Sequence, residues 1–320
     1  PSAGKVAIDL KFPAKLGVGD AYEVAVYDAY GTELYYFDVP DSASSGVWLK
    51  SQAMYLPKGK IYVEVYGDDT LPTWGKTYTL NVGHTPGNVE TEINDSFTTA
   101  DPIALGTTYS GSAISNGYYD SDYFAVTMPL AGRVSLNLKF PANLGTGSAY
   151  WVTVYDAQGT FLDFYQVDAP ASSGSWLAGQ AITLPKGKSY IEISGDYDYP
   201  TWGKTYTINV AALLKTTPIP KITGTAKVGS TLTATAGIWG PAPVTVKYQW
   251  QRNGKDIAGA TAATYKLVTA DAGTKTTVKV TGSKTGYKSV SKTSAAVAVP
   301  LLALTATPVP TISGTLKTGY

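Results

Sequence analysis

A chain of 320 residues with 25 Lys and Arg against 24 Asp and Glu carries a net charge of +1, so it lacks the basic face that nucleic-acid binding needs. It has no Cys, which excludes disulfides, thiol nucleophiles and zinc–thiolate sites. Its single His, His84, removes histidine metal clusters and nearly every Ser/His/Asp arrangement. Charged residues are 15% and aromatic residues 12%, with 33 Gly and 19 Pro, which predicts packed cores built from short, heavily punctuated strands.

In chain order, Lys5–Phe12 alternates apolar and polar residues, as do Glu23–Tyr27, Tyr62–Val65 and Tyr78–Val82. Turn residues such as Pro57-Lys58-Gly59 separate these runs, and Pro and Gly interrupt every helical window. The same series then starts again. Residues 1–82 align with residues 129–210 without a gap, and 50 of the 82 pairs are identical. LKFPAKLGVG at Leu10–Gly19 returns as LKFPANLGTG at Leu138–Gly147, and PTWGKTYTLNV at Pro72–Val82 as PTWGKTYTINV at Pro200–Val210. A second repeat, TPIPKITGTAKVG at Thr217–Gly229, begins anew at Thr307–Gly319. A period of two with one wet face predicts antiparallel sheets folded as sandwiches, so the fold class is all-β.

The domain boundaries follow from the repeats: a first sandwich over 1–83, a linker over 84–93, a second and complete sandwich over 94–211, a third over 212–299, and a linker with the start of another repeat over 300–320. The chain reads as a window of a longer protein. The first copy has no counterpart of residues 94–128, and its opening strands are expected upstream of Pro1. No apolar run is long enough to span a bilayer.

The unit repeated at an offset of 128 opens with Asn94-Asp95-Ser96-Phe97, continues through Asp120-Ser121-Asp122-Tyr123-Phe124, and closes with Gly187-Lys188-Ser189-Tyr190 and Tyr206–Val210. These motifs resemble the bacterial pre-peptidase C-terminal (PPC) domain, a jelly-roll-type β-sandwich appended to secreted hydrolases and surface proteins. The third unit carries Tyr248-Gln249-Trp250-Gln251-Arg252-Asn253-Gly254 and Asp271-Ala272-Gly273. It resembles the immunoglobulin-like repeats of actinobacterial surface proteins. That resemblance places Trp250 on the central strand as the core indole, while the corner position after Asp271-x-Gly273 is not Tyr here. Both resemblances imply an extracellular or cell-surface location, a covalently linked catalytic or adhesive domain outside this segment, and no membrane insertion.

No catalytic residue is assigned. His84 sits in Gly83-His84-Thr85-Pro86-Gly87, read as an exposed linker, and neither Gly-x-Ser-x-Gly nor His-Glu-x-x-His occurs. Glu23, Glu64 and Glu192 read as solvent-facing strand residues. No cofactor is required. Calcium is the candidate ion, because Asn94, Asp95, Asp120 and Asp122 offer oxygen ligands at the start of the PPC-like unit. The competing reading makes Asp120 and Asp122 turn and edge residues at a strand start. For a ligand, Asp196, Tyr197, Asp198, Tyr199 and Trp202 combine acceptors with stackable rings, which suits a polysaccharide or cell-wall polymer. Against this, Trp74 and Trp202 can plug the sandwich end, as Trp48 and Trp176 can along a strand. The functional expectation is a non-catalytic spacer array, and the alternative is a polymer-binding module.

Overall fold

The computed structural model describes residues 3–12, 20–40, 48–56, 58–67, 77–91, 94–113, 121–142, 148–168, 174, 176, 177, 179–195, 204–303, 308–315, 317 and 319. The first repeat contains β1 (Gly4–Lys11), β2 (Asp20–Tyr27), β3 (Glu33–Pro40), β4 (Trp48–Leu56), β5 (Tyr62–Gly67) and β6 (Thr79–Pro86). They form two three-stranded sheets, ordered β4-β1-β6 and β3-β2-β5. Alternation decides which side chains face inward: along β1, Val6, Ile8 and Leu10 are buried while their neighbours are not. With Phe12, Tyr22, Val24, Val26, Met54 and Leu56 they make the core between the sheets. β6 continues through His84, which pairs with Val6, so the histidine expected in a linker lies on a strand.

The second repeat adds β7 (Asp101–Ile103), β8 (Thr108–Ala113) and β9 (Ser121–Met128) ahead of the shared series. That series is β10 (Gly132–Lys139), β11 (Ser148–Asp156), β12 (Phe161–Asp168), β13 (Gln180–Leu184), β14 (Gly187–Gly195) and β15 (Lys204–Ala212). Its sheets are β13-β10-β15-β8 and β12-β11-β14-β9-β7. The shared strands therefore pair as in the first repeat, and β8, β9 and β7 extend them. β7 runs parallel to β9, a departure from antiparallel pairing. Equivalent hairpins turn by equivalent chemistry. Asp28 Oδ1 accepts from the N–H groups of Tyr30 and Thr32, both at 2.8 Å, and Asp156 Oδ1 from those of Gln158 and Thr160 at 2.9 and 2.8 Å. Gly31 and Gly159 take the left-handed conformation that closes each turn, with φ of 85° and 79°.

The third unit has β16 (Lys221–Thr223), β17 (Thr231–Thr235), β18 (Thr245–Arg252), β19 (Lys255–Asp256), β20 (Thr264–Lys266), β21 (Lys275–Ser283), β22 (Val290–Thr293) and β23 (Val297–Ala298). One sheet is β16-β17-β20, and the other β19-β18-β21-β22, with β23 also on β21. Trp250 is fully buried, stacks on Tyr265 at 5.5 Å, and its ring N–H donates to the Ala262 carbonyl at 2.9 Å. Arg252 Nε donates to the buried Asp271 at 2.6 Å, and Tyr265 and the Val268 N–H donate to the same carboxylate at 2.9 and 2.7 Å. The chain divides into two compact units, residues 1–213 with 285–288, and residues 214–284 with 289–320. Among the described residues, no helix is long and apolar enough to cross a membrane.

Candidate functional site

Along β9, Asp122, Phe124, Val126 and Met128 share the buried face. The period of two therefore carries a carboxylate into the apolar interior, at 1% exposure. Directly upstream of the repeat, Glu90 donates its N–H to Ser110 and the Ser110 N–H bonds Asn88, so residues 88–90 lie along β8. This pairing inserts the Glu90 side chain between strands, fully buried. Its Oε1 accepts from the Ser112 N–H and hydroxyl, and its Oε2 lies 3.0 Å from the Tyr206 hydroxyl. The same hydroxyl lies 2.6 Å from Asp122 Oδ2. A phenol has one hydrogen to donate, so the second contact needs a proton on a carboxyl group. Burial pushes Asp122 up to about 7, against the opposing hydrogen bonds from Tyr206 and Glu90, and the charges of Asp95 and Asp101 push the same way. Burial likewise holds Tyr206 well above the usual phenol range.

Asn94 completes this corner. Its carbonyl accepts from the Tyr123 N–H at 3.1 Å, and its Nδ2 donates to Asp101 at 3.3 Å. Asp101 in turn accepts from the Thr91 N–H at 2.5 Å and hydroxyl at 2.6 Å. Asn94 Oδ1 and Asp122 Oδ1 are buried and have no hydrogen-bond partner among the described residues. Gly111 is obligatory beside them, because a Cβ there would collide with Glu90 Oε2 and the Tyr206 hydroxyl.

Of the four expected calcium ligands, the fold buries Asn94 and Asp122 in one corner. Asp95 is exposed, although its charge acts on Asp122, and Asp120 lies outside the described residues. The reading of Asp122 as a turn or edge residue is corrected, since its side chain points into the core. Among the described residues, no three His, Asp or Glu side chains converge as a ready metal cluster. The donors present are oxygens alone, two of them orphaned, and that chemistry fits a hard cation such as calcium. Glu90, Asp101 and Tyr206 were not singled out from sequence. The available signal for Tyr206 was its placement on the inward register of β15, with Ile208 and Val210.

Asp196, Tyr197, Asp198, Tyr199 and Trp202 lie outside the described residues, as does Trp74. Trp176 does not plug the sandwich: it bridges to Lys139 on the rim of β10 and is 49% exposed. Glu23 and Glu64 are exposed, and Glu192 is half-buried, accepting from Tyr155 at 2.9 Å.

No family model matches the chain. No curated protein matches it either. Among solved structures, the pre-peptidase C-terminal domain of a collagenase from Bacillus anthracis is similar at a TM-score of 0.26 and 18% identity, over 35% of this chain and 93% of that one. The β-1,2-glucanase of Parabacteroides distasonis gives 0.24 and 13%, over 62% of this chain and 32% of that one. The N-terminal CBM22 tandem domain from Paenibacillus barcinonensis gives 0.21 and 12%, over 66% and 80%.

Proposed function

We propose that this chain is a non-catalytic accessory array of a larger secreted or cell-surface bacterial protein. In this reading two PPC-like sandwiches and an immunoglobulin-like sandwich space or dock a linked catalytic or adhesive domain, with an insoluble polysaccharide or cell-wall polymer as the partner. The observation that carries the reading is the Glu90–Tyr206–Asp122 corner. Its carboxyl groups are buried among the described residues and two of its oxygens lack partners, which favours a structural ion over a reacting substrate. Asn94, Asp122 and Glu90 would hold calcium there, with Asp95 as a further oxygen donor. The ion would supply the positive charge that the desolvated carboxylates lack. Because Glu90 precedes the repeat, Asn94 opens it, and Asp122 and Tyr206 belong to its two sheets, these side chains tie the leading segment to both layers.

Thermal unfolding of the full chain in calcium and in chelator tests this. Calcium at about a hundred times its Kd should stabilise the second repeat by about 2.7 kcal/mol, and Asp122→Asn should abolish the response. A wild-type melting curve unchanged by calcium would overturn the cation reading.

A further inference from the structure

On the outer face of the sheet that ends in β8, three polar side chains stand side by side across neighbouring strands. Asn137 of β10 pairs in register with Asn209 of β15, and Asn209 with Thr108 of β8. Asn137 Nδ2 lies 3.3 Å from Asn209 Oδ1, and Asn209 Nδ2 lies 3.4 Å from Thr108 Oγ1. Ser135 donates to Asn137 Oδ1 at 3.0 Å, which fixes the amide at one end of the row. Gly179 passes over that end so closely that a Cβ there would strike Ser135 and Asn137. Trp176 stands beside the row, and together with Asn137, Asn209 and Thr108 it lines an open depression of about 170 Å³.

We infer that this depression is a binding site for a neutral pyranose ring of a polysaccharide. An indole left half exposed on a hydrophilic sheet face offers an apolar surface to the C–H face of a sugar. The adjacent amides and hydroxyl both donate and accept, which matches sugar hydroxyls, whose donors and acceptors are likewise mixed. The contacts along the row, 3.3 Å between the amides and 3.4 Å from amide to hydroxyl, are long, so ligand hydroxyls can replace them at little cost. Among the described residues, the four that line the depression are uncharged, which favours a neutral ligand. The polar pair across the two strands also recurs. In the first repeat the aligned residues are Trp48, Asp9 and Asn81, and Asn81 Nδ2 lies 3.4 Å from Asp9 Oδ2 in the same strand register. A carboxylate replaces the first amide there, so the two repeats differ in what they accept.

The site rests on the reading of the chain as an accessory array and names the substrate class that array would touch. The full chain is titrated with cellohexaose, xylohexaose, mannohexaose, maltohexaose and chitohexaose, by calorimetry and by following the Asn137 and Asn209 side-chain amides in NMR spectra. At least one oligosaccharide should bind and shift both amides. Trp176→Ala should weaken it about tenfold or more, and Trp176→Phe should recover part of the loss. Binding to none of the five, binding that leaves both amides unshifted, or equal binding by a folded Trp176→Ala protein would overturn the site. The calcium response, measured on the same sample, separates the two readings: sugar binding lost with that response intact removes this site alone.

Discussion

The two repeats share an aromatic trio with nearly the same geometry, one member of which is exposed in the first copy and buried in the second. In the first, Phe12 stacks on Tyr22 at 4.3 Å, with Tyr78 at 6.1 Å from Phe12; in the second, Phe140 stacks on Tyr150 at 4.2 Å, with Tyr206 at 5.9 Å from Phe140. Yet Tyr78 is 44% exposed and Tyr206 1%. The adjoining strand repeats the contrast. Leu80 and Val82 of β6 are exposed, whereas the aligned Ile208 and Val210 of β15 are buried. β8 pairs with β15, and β9 brings Phe124, Val126 and Met128 into the same core. Among the described residues the first repeat has no strand in those positions. Local sequence thus sets the strand and the direction of each side chain. A neighbouring segment sets whether that direction meets protein or water.

The comparison can be broken in order of expected effect. Ile208→Ala should destabilise the second repeat by about 3 kcal/mol, because it opens a cavity in a filled core. Leu80→Ala should cost no more than about 0.5 kcal/mol at an exposed position. Urea unfolding with hydrogen exchange at β15 and β6 distinguishes the two, and equal losses would refute the packing contrast. Tyr206→Phe removes the hydroxyl shared by Glu90 and Asp122 and should cost about 2 kcal/mol. Tyr78→Phe should be nearly silent, because no buried carboxylate meets it among the described residues.

The smallest effect extends the comparison to the third unit, where a buried carboxylate has an ion partner. Burial works against the charge of Asp271, but the Arg252, Val268 and Tyr265 hydrogen bonds together outweigh it and hold the group below the usual aspartate range. A folded pKa lower than the unfolded one contributes stability above the ordinary carboxylate pKa of about 4, and that stability is lost as pH falls through the folded value. The third unit should therefore weaken in acid. Asp271→Asn should flatten that pH dependence, and a melting curve of the same acid slope in the variant would reject the assignment.

Much of the architecture was legible in the chain. Alternation marked Lys5–Phe12 and Tyr78–Val82 as strands, and the offset of 128 residues gave two copies of one sandwich. The resemblance carried by Tyr248–Gly254 implied Trp250 as a core indole, and Trp250 is fully buried. The site was legible only in part. Asn94 and Asp122 stood out as oxygen donors near the start of the second repeat, whereas Glu90 and Tyr206 are 116 residues apart and meet only through strand pairing. Trp176 looked like a plug because large aromatics usually close small cores. Its pairing to the rim of β10 leaves it exposed instead.

Composition, periodicity and repetition by themselves determined that this protein is all-β, that it is built from repeated sandwiches, and which residues alternate inward, because those properties depend on neighbours two residues apart or on identity between copies. Tertiary structure alone decided which inward carboxylates share a phenol, which indole faces water, and how β8 and β9 bury the inward side chains of β15. Each of these depends on side chains brought together across sheets from distant parts of the chain, and desolvation is set by what arrives on the other side.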